Sequence, residues 1–85
     1  MMVRVKFFAT LRSIAGKREV EIKGVKTVGE LLEKLYAEFG EEFKNEIEER
    51  RMILVNGKNI DHLNGLDTEL SDGDIVSIFP PAGGG

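Results

Sequence analysis

Few residues of this 85-residue chain could do chemistry unaided. There is no cysteine, which removes disulfides, thiolate metal sites and cysteine nucleophiles together. The single histidine, His62, sits in a polar stretch with no second histidine or nucleophile nearby, and no metal or catalytic role is assigned to it. The paired glutamates between Glu41 and Arg51 read as a solvated face rather than as general acids or metal ligands. What remains is the end of the sequence, Phe79-Pro80-Pro81-Ala82-Gly83-Gly84-Gly85. Glycines have no side chain to bury and lose the most freedom on ordering, so this run belongs outside any core. The reactive group it offers is the α-carboxylate of Gly85, which becomes a good acyl electrophile once activated. Gly85 is therefore the expected chemical residue. Gly84, Gly83, Ala82, Pro81 and Pro80 are the expected segment inserted into a partner's active site, and no metal site is expected.

Glycine-rich termini are commonly only frayed ends. The residues in front of these glycines argue for more. Ile75-Val76-Ser77-Ile78-Phe79 reads as a strand, and Pro80-Pro81 stops it, because proline lacks the ladder N–H and favours an extended polyproline course. A stiff root with a thin tip suits a narrow site whose walls close on backbone without Cβ atoms. The division expected is a folded domain over 1–79 and a flexible C-terminal tail over 80–85.

Length allows one domain with a modest core; a chain of this size buries roughly 60% of its unfolded surface. Charge is uneven: residues 1–26 carry seven basic and two acidic groups, residues 27–51 four and eight, and residues 52–85 one and five. The basic quarter alternates with strand positions and has no aromatic ladder, so it reads as a solvated strand face, with no nucleic acid as partner. No apolar run is long enough for a bilayer, and Met1-Met2-Val3-Arg4 does not open a signal peptide, so a cytoplasmic protein without membrane contacts is expected.

The elements that must position the tail follow from periodicity. Val3-Arg4-Val5-Lys6-Phe7 alternates apolar and charged, which predicts a strand with Val3, Val5 and Phe7 inward and Arg4, Lys6 and Phe8 outward. Ala9 to Lys17 is expected as a connection, and Glu19–Lys23 as an antiparallel partner broken by Gly24. Thr27-Val28-Gly29-Glu30 has the form of a capping box, with Glu30 returning to the N–H of Thr27. Val28, Leu31, Leu32, Leu35 and Phe39 then recur at helical spacing, and Gly40 is placed to end the helix in a left-handed conformation. Glu41 to Arg51, with Phe43 and Ile47 one turn apart, reads as a ragged helical piece or a loop. Met52–Val55, the hairpin signal Asn56-Gly57 and Lys58-Asn59-Ile60 predict two short strands. A polar connection over 61–70 and the turn Ser71-Asp72-Gly73-Asp74 lead to the last strand, the most apolar, expected central and parallel to the first. This order implies an α+β fold, a mixed four- to five-stranded sheet on one main helix, which resembles the ubiquitin-like β-grasp.

Outward residues give a second expectation. With Val76 and Ile78 facing the helix, Ile75 and Phe79 face out, as does Phe8 on the adjacent strand. Phe8, Ile75 and Phe79 are expected to form an apolar patch at the tail root that binds a partner, unless the charged 41–51 stretch or a loop covers it.

The chain also resembles the small, sulfur-carrying subunit of molybdopterin synthase. The resemblance runs through Val5-Lys6-Phe7-Phe8-Ala9-Thr10-Leu11-Arg12, Val55-Asn56-Gly57 and Leu70-Ser71-Asp72-Gly73-Asp74. It is sharpest at Phe79-Pro80-Pro81 with the closing Gly84-Gly85; Ala82 and Gly83 stand where that family has a larger apolar residue and then alanine. The resemblance implies adenylation of the Gly85 carboxylate by an E1-like adenylating enzyme, then conversion to a thiocarboxylate. The sulfur would pass to the pterin precursor inside the large catalytic subunit of molybdopterin synthase. The glycyl adenylate and thiocarboxylate would be transient forms, with no cofactor bound and no catalysis by this chain alone. Rivals that use the same carboxylate are a carrier for thiamine synthesis or tRNA thiolation and a ubiquitin-like protein modifier; an inert binding module uses none of it.

Overall fold

A computed structural model describes residues 1–81. The alternating segments build one five-stranded sheet from β1 (Met2–Phe7), β2 (Glu19–Lys23), β3 (Met52–Val55), β4 (Lys58–Asn59) and β5 (Ile75–Phe79). Their order is β2-β1-β5-β3-β4. β5 is central, parallel to β1 and antiparallel to β3, while β1 with β2 and β3 with β4 form antiparallel pairs. Period-two patterning places Val3, Val5, Phe7, Ile22, Ile53, Val55, Val76 and Ile78 on one face, all buried. Against that face lies α2 (Val28–Phe39), which buries Val28, Leu31, Leu32 and Leu35. This is the ubiquitin-like β-grasp arrangement.

Two further helices complete the covered side. The Glu41–Arg51 stretch is ordered as α3 (Glu41–Ile47), anchored by fully buried Phe43 and Ile47. The expected connection over Ala9 to Lys17 is instead α1 (Thr10–Ala15), which buries Leu11 and ends at Gly16 in the left-handed conformation (φ 76°, ψ 15°). Leu11, Ile14 and Ala15 share a helical face, and burying it on the core outweighs the poor propensity of so short a helix. Phe7, Phe39 and Phe43 pack as an aromatic cluster with centroids 5.4–5.5 Å apart. Tyr36 leans on Phe43, and partial burial raises its phenol above the usual pKa.

Three local expectations are corrected. Thr27 Oγ1 accepts from the Glu30 N–H (3.2 Å), but Glu30 Oε1 accepts from the N–H of Lys26 (2.8 Å), not of Thr27. The backbone here pairs with a distant segment: Thr27 bridges Glu69, Leu70 N–H donates to Lys26, and Val28 N–H donates to Thr68. Gly40 has positive φ (91°) but an extended ψ (−172°), so it swings the chain from α2 straight into α3 rather than closing a left-handed cap. Ile60 leaves the ladder and opens a 3₁₀ turn, Ile60–His62, capped by the Asn59 side chain; a second turn spans Gly65–Asp67.

Candidate functional site

The site is the far end of β5, where the sheet hands over to the tail. Its near end is fixed by polar groups. Asn56 turns the β3–β4 hairpin at φ 51°, which asparagine tolerates, and Gly57 follows at φ 84°. From that turn Asn56 Nδ2 donates to Asp74 Oδ1 (2.9 Å), its Oδ1 accepts from Ile75 N–H (2.9 Å), and its own N–H donates to Ile75 (2.8 Å). Asp74 Oδ2 accepts from Ser71 N–H (2.7 Å), while Asp72 Oδ1 accepts from Met2 N–H (2.8 Å). These bonds lock the register of β5 against β1 and β3, and hence where Phe79 falls.

Phe79 lies opposite Met52 on β3. On its other side Phe8 stacks face to face on it, with centroids 4.2 Å apart and planes 12° apart. Ala9 (φ 53°, ψ −131°) reverses the chain directly after Phe8, a strained conformation for alanine. The turn lets α1 bring Arg12 back over the Phe8 ring, at 5.2 Å, with Arg12 Nε donating to the Phe7 carbonyl (2.9 Å). Arg12, Phe8 and Phe79 are thus one packed unit at the tail root, bordered by exposed Met52 and half-buried Leu54.

Ile75 is outward-facing and exposed, but it opens β5, opposite Arg4, whereas Phe79 closes it. Four residue steps along the strand set them about 13 Å apart. Between lie Ser77 and Lys6, and the neighbouring Arg4 is paired with Glu19 (3.3 Å) and Glu21 (3.7 Å). The structure therefore joins Phe8 to Phe79 and leaves Ile75 apart, in charged surroundings. Arg12, Met52 and Leu54 join the root instead. Arg12 carried a signal only through the helix at Thr10–Ala15, and Met52 and Leu54 only through strand pairing. The 41–51 stretch borders the root from the helix side: Pro81 shares a cleft with Asn45, Glu46, Glu48, Glu49 and Arg50. Pro80 and Pro81 are half-buried; Ala82, Gly83, Gly84 and Gly85 lie outside the described residues. Among the described residues no group of three or more His, Asp or Glu side chains is placed to hold a metal, and no helix is long and apolar enough to cross a membrane.

Comparison with known proteins agrees with this geometry. A small archaeal modifier protein 3 of Haloferax volcanii is 37% identical, over 100% of both chains. The solution structure of small archaeal modifier protein 1 of Methanosarcina acetivorans superposes with a TM-score of 0.86 at 35% identity, covering 99% of this chain and 96% of that one. Subunit 1 or 2 in the molybdopterin-converting factor complex of Helicobacter pylori matches with a TM-score of 0.71 at 33% identity, over 100% of both chains. The ThiS family pattern matches residues 5–85, from β1 through the tail, and on that match the chain belongs to the ThiS family of ubiquitin-like sulfur carriers.

Proposed function

We propose that this protein carries sulfur on the α-carboxylate of Gly85. The observation that carries the reading is the exit of the central strand: β5 ends in the Phe8–Phe79 stack and passes into Pro80-Pro81 beside an apolar surface that a partner can cover. The chemistry asked of the chain is small. A Gly85 carboxylate oxygen attacks the α-phosphorus of ATP, pyrophosphate leaves, and a glycyl adenylate forms. Hydrosulfide from a sulfur donor then adds to the acyl carbon and AMP departs, leaving a thiocarboxylate. An E1-like adenylating enzyme supplies the catalytic groups for the first step, and this chain is non-catalytic alone. The carrier works in the cytoplasm, where ATP is available.

The consumer we favour is the large catalytic subunit of molybdopterin synthase, which passes the sulfur to a pterin precursor. The similarity to a chain of the Helicobacter complex of molybdopterin-converting factor subunits supports that choice. Insertion of Pro80, Pro81, Ala82, Gly83, Gly84 and Gly85 into that subunit places the sulfur at the precursor, with Phe8 and Phe79 docked outside. A second reading, protein modification, is favoured by the two similar proteins named as small archaeal modifiers. There a lysine amine takes the place of hydrosulfide and an isopeptide bond results.

Both readings need adenylation, so ATP–pyrophosphate exchange with the host's E1-like enzyme tests their shared step. Exchange should depend on this protein and disappear when Gly85 is deleted. Exchange that survives the deletion would refute the assignment of the carboxylate.

A further inference from the structure

The sequence contains Asn-Gly twice, at Asn56-Gly57 and Asn64-Gly65. This dipeptide is the one most prone to spontaneous deamidation, because glycine puts no side chain in the way of ring closure. The Gly N–H loses its proton and the nitrogen attacks the Asn side-chain carbonyl. Ammonia leaves, and water opens the succinimide to aspartate or isoaspartate. With the following residue the same in both places, the fold decides the difference in rate.

Asn56 is held on all sides. Its Nδ2 donates to Asp74, its Oδ1 accepts from Ile75 N–H, and its backbone N–H donates to the Ile75 carbonyl, all within 2.9 Å. Ring closure there requires breaking these bonds and parting the hairpin from the central strand. Asn64 precedes the Gly65–Asp67 turn, is exposed, and makes no side-chain capping bond. Among the described residues only its backbone is tied, to Thr68 Oγ1 (3.1 Å) and the Asp67 N–H (3.0 Å), within a short surface turn. Short exposed turns open locally, at far lower free energy than central strands.

We infer that Asn64 is the deamidation site of this protein and that the β5 clamp protects Asn56. Modification at Asn64 adds a negative charge and, as isoaspartate, a backbone carbon to the loop that packs Leu66 on Gly29 and accepts the Val28 N–H at Thr68.

The test is incubation of the folded wild-type protein in mildly alkaline buffer, with peptide mapping of the mass gain at each asparagine. The same experiment in denaturant is the control. Asn64 should react about tenfold or more faster than Asn56 in the native state, and the two should react at similar rates in denaturant. Equal native rates, a faster Asn56, or a preference that persists in denaturant would each overturn the inference. Asp74→Ala, checked by circular dichroism to be folded, should raise the Asn56 rate and leave that of Asn64 unchanged. An unchanged Asn56 rate in a folded variant would contradict the protective role of the clamp.

Discussion

The two ends of β5 are secured by different physics. At Ile75 the strand is tied by directional hydrogen bonds from Asn56, Asp74 and the neighbouring Asp72–Met2 pair. At Phe79 it is held by ring stacking and by Arg12 packed over Phe8. Hydrogen bonds fix register, since a slip of one residue would turn every β5 side chain to the wrong face. Stacked rings fix position while leaving an apolar edge that still gains from further burial. One end is finished within the chain; the other, on the proposed reading, is where a partner docks.

Substitutions at the two ends should separate stability from recognition. The largest effect is expected for Phe79→Asp. It places a charge in the proposed docking surface and should weaken binding to the proposed partner subunit by about thirtyfold or more, measured by calorimetry, while the chain still folds. Loss of folding instead would mean that Phe79 serves the core. Asn56→Ala should show the reverse: a loss of about 1–3 kcal/mol in urea unfolding, with partner affinity per folded molecule unchanged. Arg12→Ala sharpens the comparison within the root, costing about 1 kcal/mol of stability by the same assay through the lost cation–π contact and Phe7 hydrogen bond. Ile75→Asp should be the smallest, within about threefold of wild-type affinity, since this residue borders Arg4 and Ser77 rather than the stack. Equal losses for Ile75→Asp and Phe79→Asp would erase the distinction between the ends.

What the residue order revealed follows the same division. Alternation at Val3–Phe7 and Ile75–Phe79 disclosed which side chains face the helix, because facing is a local property of the pleat. It did not disclose distance along the strand, so Ile75 and Phe79 shared a face without sharing a patch. Met52 could be placed beside Phe79 only through an antiparallel register between distant segments. The redirected arm of the Thr27 cap has the same origin: residues 68–70 pair with 26–28, and no nearby residue announces it. α1 was obscured differently. Its six residues give under two turns of periodicity, and a strained Ala9 opens it where a polar cap would have marked the start. The proposed carboxylate at Gly85 rests on the sequence alone, where glycines, prolines and the absence of cysteine leave few other reactive groups.

Sulfur carriage on Gly85 is most directly tested by the intact mass of the protein after incubation with its host's extract, ATP and a sulfur source. A gain equal to replacing one oxygen with sulfur is expected, absent when Gly85 is deleted. Conjugates with other proteins and no such gain would make the chain a modifier rather than a sulfur carrier. An unchanged mass in an extract that sulfurates other carriers would contradict the claim outright.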